Sequence, residues 1–373
     1  MIDLNKINCT GCSSCYNGCP VGAIKMVSNE KGFLYPHIDE TKCIQCELCV
    51  KICGAENKVV YDVPVHTYAV KHKALEERMK SQSGGAAYVL SKHIIEVGGV
   101  VYGAIIDKDF SVCHSRAETI EELEKFRGSK YVQSDLKNMF SFVREDLNGG
   151  RTVLFTGTPC QIAGLKSFLV KDYDKLYTVD VICHGVPSPR VWSDYLKWQE
   201  NCHNKELKKV FFRDLTLKWG ASNEALYFRN DKRLYNIYAK IFYSRNAFRD
   251  SCFECSFANL KRQFDITVGD YWGIDLVSPE FKDDYGISAV IINSKKGNGL
   301  FASVSSELDI LETTTDQMTR KNPQLLKSAD KPASVDKFWE EYHNNTFAYI
   351  AKKYGGNSIK GKIKRIVKRA LGR

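Results

Sequence analysis

Apolar residues recur along this chain in short runs separated by polar turns, and the run lengths predict two kinds of structure. Near the start, the runs Ala23–Val27 and Phe33–Ile38 flank Asn29-Glu30-Lys31-Gly32, a pattern that predicts a hairpin. From about Thr67 the spacing lengthens. Thr67–Lys71 and Val100–Ile106 read as buried strands, with a helical pattern from Ala86 to Val97 between them, ended by Gly98-Gly99. Val153–Thr156 and Leu176–Ile182 flank a second helical pattern at Pro159–Leu169. Further strands are predicted at Lys208–Phe212, Ala225–Arg229, Asp265–Val268 and Ser288–Asn293. Strands alternating with helices predict an α/β core.

At the C-terminal end Ile359, Ile363, Ile366, Val367, Ala370 and Leu371 fall on one helical stripe among basic residues. Such a helix suits an anionic membrane surface, at about 1 kcal/mol per basic residue near the lipid. A helix packed on the body or a partner-binding segment fits the same stripe.

Length and composition refine the picture. A chain of 373 residues is long enough for two or three domains. The net charge of +10 is concentrated in the nine basic residues from Lys352 to Arg373, which leaves residues 1–351 nearly neutral. A nucleic-acid partner is therefore not expected, since no base-reading motif accompanies the charge. No window approaches the roughly 18 apolar residues of a membrane span, and the N-terminus lacks a secretion-signal pattern. The expected location is the cytoplasm, with the segment 359–373 offering attachment to the inner membrane face.

Fourteen cysteines in such a chain point to soft metals rather than to disulfides. Cys9, Cys12, Cys15 and Cys19 followed by Pro20 form the run C-x2-C-x2-C-x3-C-P. Cys43, Cys46, Cys49 and Cys53 repeat it, with Gly54 in the proline position. In this pattern three cysteines wrap one 4Fe–4S cluster and the fourth ligates the other. Cluster one thus takes Cys9, Cys12, Cys15 and Cys53, and cluster two takes Cys43, Cys46, Cys49 and Cys19. Structural zinc would instead pair two C-x2-C knuckles across a longer gap.

Four more cysteines have placed contexts. Cys160 opens a helix in Thr156-Gly157-Thr158-Pro159-Cys160-Gln161, where Thr158 can cap, Pro159 suits the first helical position and the helix dipole favours a thiolate. It fits a cluster ligand, a nucleophile or a small buried residue. Cys183 follows a strand in Cys183-His184-Gly185-Val186-Pro187-Ser188-Pro189, and Cys252 and Cys255 form a C-x2-C pair. Together these make a third quartet. Cys113 and Cys202 have no such context and read as structural. Ser83-Gly84-Gly85-Ala86-Ala87 precedes a helix, so a serine cap and bare backbone N–H groups could seat a phosphate, or simply start the helix. No Walker-type loop or G-x-G-x-x-G turn is present.

Over residues 65–320 the chain resembles the coenzyme F-420 hydrogenase/dehydrogenase beta subunit family. The resemblance rests on Ser83-Gly84-Gly85, Gly128-Ser129-Lys130-Tyr131, Gly157-Thr158-Pro159-Cys160-Gln161, Cys183-His184-Gly185-Val186-Pro187-Ser188 and the stretch from Asp265 to Gly273 that includes Gly269, Asp270 and Trp272. Members with a fused ferredoxin domain are similar to chlorophyll-pathway reductases and to proteins found with surface-polysaccharide enzymes. The resemblance implies FAD and one 4Fe–4S cluster in the body, with Cys160, Cys183, Cys252 and Cys255 as its ligands. It implies flavin contacts from Ser83, Gly84, Gly85, Ala86, Ser129, Lys130, Tyr131, Thr156, Gly157 and Thr158. Lys130 would then stabilise the reduced anion, and His184 is the candidate proton donor.

The expected fold is an α+β ferredoxin-like two-cluster domain (1–62), an α/β flavin-binding body in two parts (63–150 and 151–325) and a helical region with a basic tail (326–373). The expected function is a relay from a ferredoxin-type donor through the clusters to FAD and on to a small-molecule or saccharide-linked acceptor. The alternative is an electron-transfer subunit of an F-420-linked hydrogenase or dehydrogenase.

Overall fold

The structure, a computed structural model, describes residues 8–55, 66–214 and 216–356. The basic stripe at 359–373 lies outside them. Thirteen strands are described: β1 (Ile24–Ser28), β2 (Leu34–Ile38), β3 (His66–His72), β4 (Val100–Ile106), β5 (Val112–Ala117), β6 (Val153–Gly157), β7 (Leu176–Val181), β8 (Leu207–Phe211), β9 (Glu224–Phe228), β10 (Asp231–Tyr235), β11 (Ile266–Asp270), β12 (Ser288–Ile292) and β13 (Leu308–Thr313). Eight form one sheet in the order β13-β3-β12-β11-β7-β6-β4-β5. Its centre, β11-β7-β6-β4, is parallel, and the remaining strands run antiparallel to their neighbours.

Alternation along β6 shows why this sheet is covered on both faces. Leu154 packs with Val89 and Leu90 of the helix Ala86–Glu96 and with Leu300 and Phe301 of the helix Lys295–Val304. Its neighbours Val153 and Phe155 point the other way, among Phe140, Val143, Ile162 and Leu165 of the helices Met139–Asn148 and Pro159–Leu169. Strands buried on both faces read as continuous apolar runs, which is how they were visible in the sequence.

Two expected strands belong elsewhere. The runs predicted at 208–212 and 225–229 form β8 and β9, which join β10 in a separate antiparallel sheet. That sheet packs with the helices Pro189–His203, Ile237–Ser244 and Val335–Asn344 around Trp192, Tyr195, Phe212, Tyr238 and Phe338. Strands β5, β10 and β13 lacked a long apolar run, because they carry polar residues such as His114, Arg116, Lys232 and Asp309.

β1 and β2 form the expected hairpin, in the register Ile24↔Ile38. The cysteine-rich region is built into the body. Phe33 sits in the aromatic core, Lys31 pairs with Asp250 at 3.0 Å, and Arg190 donates to the Glu30 carbonyl at 2.9 Å. Ser14 donates to the Gly164 carbonyl in the helix Pro159–Leu169. Among the described residues no helix is long and apolar enough to cross a membrane.

Candidate redox site

The C-terminal ends of β6, β7 and β11 open onto one cavity of about 540 Å³. Such strand ends are where ligands sit in parallel sheets, and the volume lies within the ~300–1,000 Å³ typical of cofactor and small-molecule sites. Nine of the ten residues proposed as cofactor contacts line it: Ser83, Gly85, Ala86, Ser129–Tyr131 and Thr156–Thr158. His184, Cys160 and Cys183 line it too. Gly84 does not. A Cβ there would lie 2.2 Å from the Val70 carbonyl oxygen and 2.3 Å from the Ser288 nitrogen, so this glycine lets the turn press against the sheet.

The helix Ala86–Glu96 is capped by Gly85, at φ +89°, without a side-chain bond. Ser83 is not the cap; its hydroxyl lies 3.2 Å from that of Ser288. The sequence suggested a serine cap because serine is favoured there, but a positive φ at the boundary favours glycine. At the other helix Pro159 takes the first position as expected, and Gln161 Oε1 accepts from Thr158 N at 3.0 Å.

Lys130 is half-buried, and its ammonium donates to the carbonyls of Lys125, Phe126 and Arg127 at 3.4, 2.7 and 2.9 Å. Loss of water around this ammonium pulls its pKa down to about 7. The His184 pKa is also lowered, chiefly by burial, with Asp270 acting in the opposite direction. At neutral pH His184 is therefore mainly neutral, and Lys130 is the group poised between its two forms. Asp270, on the same wall, accepts from Arg213 at 2.7 Å and from the Trp219 indole at 3.1 Å. Trp219 in turn stacks on Trp272, with ring centroids 4.9 Å apart.

Sequence reasoning missed a buried polar chain under the cavity. His114 Nε2 donates to the Thr156 carbonyl at 3.0 Å and its Nδ1 accepts from Ser134 at 3.0 Å. Gln161 Nε2 donates to Ser134 Oγ at 2.9 Å. Burial lowers the His114 pKa to about 4, so the neutral imidazole is the resident form. The stretch Thr156–Gln161 supplies two of its members, but nothing local links that stretch to His114 or Ser134, which come from two other segments.

The thiols group as the spacing anticipated for cluster one. Cys9, Cys12, Cys15 and Cys53 line a single small pocket. Cys12, Cys9 and Cys53 all raise the Cys15 pKa, after the larger effect of burial. Cys53, remote in sequence from the other three, has therefore crossed to their side. For cluster two, Cys46 is exposed and Cys19, Cys43 and Cys49 are half-buried. Gly54 also gains a reason. A Cβ there would lie 2.9 Å from Gly164 Cα, so the chain beyond Cys53 passes too close to the helix for a larger residue.

Cys160, Cys183, Cys252 and Cys255 are neighbours: Cys160 feels Cys255 and Cys183, and Cys183 feels Cys252. The Cys252 sulfur accepts from Val186 N at 3.4 Å, and the Cys183 sulfur from Gly185 N at 3.4 Å. Burial pushes the Cys183 and Cys252 thiols up to about 12 and Cys160 higher. The helix dipole at Cys160 is thus outweighed by desolvation, which disfavours a free nucleophilic thiolate. A soft metal displaces such protons outright. Among the described residues no three His, Cys, Asp or Glu side chains converge as around a single ion; a cubane, which takes one thiolate at each of four irons, accepts a wider spread. Cys113 is buried with its thiol 3.7 Å from Asp107, whereas Cys202 is exposed.

Comparisons with known proteins bear on the dicluster region and on the C-terminal part of the body. Residues 8–57 match the 4Fe–4S dicluster domain, and residues 150–317 match the C terminus of the coenzyme F-420 hydrogenase/dehydrogenase beta subunit. The chain is 22% identical over 367 residues to the coenzyme F-420-dependent sulfite reductase of Methanocaldococcus jannaschii, across 93% of this chain and 54% of that protein. It therefore spans about half the length of this curated relative. A chain of the F-420-reducing [NiFe] hydrogenase complex from Methanosarcina barkeri superposes with a TM-score of 0.49 at 18% identity, covering 76% of this chain and 94% of that one. With a dicluster domain at residues 8–57 and, at residues 150–317, the C-terminal region shared by coenzyme F-420 hydrogenase/dehydrogenase beta subunits, the chain is an iron–sulfur electron-transfer protein related to those subunits.

Proposed function

We propose that the chain is an oxidoreductase unit of beta-subunit type, moving electrons between its clusters and a two-electron organic carrier held in the cavity at the ends of β6, β7 and β11. The observation that carries this reading is the double position of the helix Pro159–Leu169. Its first turn presents Cys160 to the cavity, while Gly164, one turn on, lies against Cys12 of cluster one. One rigid element therefore spans from the dicluster region to the cavity wall.

A flavin such as FAD fits the residues present. The cavity is mainly apolar, the bare N–H groups at Gly85 and Ala86 open a helix as a phosphate seat requires, and Lys130 and Arg127 bring cations to its lining. When bound, the clusters supply single-electron steps and the flavin converts these to two-electron transfer. Cys160, Cys183, Cys252 and Cys255 would hold the third cluster. Lys130 would hold or release a proton at Nζ. Ser129 and Thr158 would orient the ring system, and Phe126 and Tyr131 would exclude water. A deazaflavin such as coenzyme F-420 is the proposed exchange partner, and a ferredoxin-type donor could enter at the exposed Cys46 end.

Two versions of the physiological role compete. The matched beta-subunit family and the curated relative support an electron-transfer subunit of an F-420-linked hydrogenase or dehydrogenase. They support it more than a stand-alone reductase of surface-polysaccharide metabolism acting on a saccharide-linked acceptor. Cytoplasmic residence, and membrane attachment through 359–373, accompany either version as proposals.

Anaerobic purification with iron, sulfide and flavin quantification tests the cofactor content. About twelve irons and one FAD per chain are expected for three cubanes. About eight irons would remove the third cluster, and absence of any flavin spectrum would remove FAD. Rapid bleaching of the cluster absorbance by reduced coenzyme F-420 and copurification with larger redox subunits are expected of the subunit reading. Failure of both would sink it.

A further inference from the structure

Arg249 is the buried charge that the relay leaves unexplained. Its side chain has no solvent exposure. Nε donates to the Cys9 carbonyl at 2.9 Å, Nη1 donates to Gln133 Oε1 at 3.2 Å, and Nη2 lies 3.7 Å from Cys9 Sγ. The guanidinium stacks over Tyr35 at 4.0 Å and lies 5.5 Å from the Phe33 ring, both contributed by the hairpin. Among the described residues these partners include no carboxylate. The adjacent Asp250 is engaged by Lys31. The contrast with Arg262 is direct: that buried arginine, near Cys183 and Cys255, pairs with the buried carboxylate of Asp180.

A desolvated cation without a counter-charge is strongly unfavourable. The missing anion is supplied if cluster one is in place. A cubane bound by four thiolates is doubly negative, and triply negative after gaining one electron. Net charge and hydrogen bonds to sulfur are among the main determinants of its potential. Arg249 contributes both, and its position is fixed. A Cβ at Gly11 would lie 3.0 Å from Nη1, so the cysteine loop closes directly over the guanidinium. On the other side the Arg249 carbonyl accepts from Cys252 N at 2.9 Å, tying the same residue to the third quartet.

We infer that Arg249 is a positioning residue that raises the reduction potential of the cluster held by Cys9, Cys12, Cys15 and Cys53, supplying the counter-charge for that cluster inside the interface between dicluster region and body. The inference rests on the cluster reading of those four cysteines. One electron enters the cluster without a proton, and the fixed guanidinium balances the added negative charge. Cluster one thereby holds electrons more readily than the outer cluster and passes them inward.

The test is an EPR-monitored redox titration of the full-length, anaerobically purified protein and of R249Q and R249K, with iron and sulfide counted in each. In R249Q the largest shift is expected in one cluster, to lower potential by at least tenfold in its reduction equilibrium, about 59 mV for a one-electron step. A smaller shift is allowed in the third quartet, because Cys252 also feels this charge. R249K, which keeps the charge, should retain most of the wild-type value. Loss of about four irons in R249Q but not in R249K supports the same conclusion, since the cluster then requires a cation there. Unchanged midpoints in a fully loaded R249Q overturn it. Equal loss of iron in both variants also overturns it, because shape rather than charge would be the requirement. Wild-type protein lacking the signal of cluster one would refute the cluster reading itself.

Discussion

Two desolvated bases give this protein opposite pH signatures. His114 is neutral in the fold, with a pKa near 4 against an ordinary 6.5 because burial disfavours the cation. The unfolded chain therefore binds the additional proton first, and stability falls as pH drops below about 6.5. About 2 kcal/mol is expected to disappear between pH 7 and pH 5. Chemical denaturation at the two pH values checks this, and His114→Gln should flatten the difference. Protonating Nδ1 would also reverse its bond with Ser134, whose hydroxyl would then accept from both the imidazolium and Gln161 and lose its own acceptor. Lys130 shows the reverse case for activity. With a pKa near 7, its ammonium is lost as pH rises through neutrality. If Nζ is the proton source, reoxidation of the reduced protein by an organic acceptor should decline above about pH 7. Lys130→Met should be slower by roughly 100-fold and flat with pH. A pH–rate profile that keeps its limb in the variant would exclude Lys130 from this role.

At the scale of elements, the helix Pro159–Leu169 and the chain after Cys53 meet with no room to spare. Gly54 stands where ferredoxin-type runs place proline, and its Cα side faces the Gly164 backbone. Restoring the motif by Gly54→Pro should therefore harm the protein. A loss of about 2 kcal/mol in chemical denaturation is expected from the overpacked contact, with loss of the iron that depends on Cys53. Gly164→Val should act alike, since even a Cβ there would lie 2.7 Å from Cys12 Cβ. Wild-type stability and iron content in either variant would show that the two backbones separate without cost.

For the whole molecule, the integration of the cysteine-rich region predicts cooperative behaviour. Phe33 completes the aromatic core, Arg249 lies under Cys9, and Ser14 is bonded to the helix at Gly164. Deleting residues 1–55 should leave an unsatisfied arginine and an exposed apolar face. A lowered melting temperature and aggregation of the remaining body are expected in a thermal scan with light scattering. A truncated body as stable as the full chain would mean that the two regions fold as independent units.

Much of this was legible in the chain itself. The cysteine spacing determined the two-cluster region because three thiols at x2 intervals can only form a tight loop. The buried strands β6, β7, β11 and β12 announced themselves as apolar runs because both faces of the sheet are covered. Thr158 and Cys183 stood out by their places just after strands, Lys130 only through the resemblance, and the structure gathers all three on one cavity. Other features had no local signature. β5 and β13 are edge strands of the large sheet whose polar residues hide the period, and β8 and β9 look like core strands yet join a different sheet. Gly54 looked like a departure from its motif until the helix behind it was visible. Arg249 and His114 belong to no motif in the sequence. Their burial, partners and charge balance depend on segments more than a hundred residues apart or on separate strands and loops. Local spacing can encode a ligand loop, because all its atoms lie within one turn of chain; only the assembled fold decides which charges lose their water.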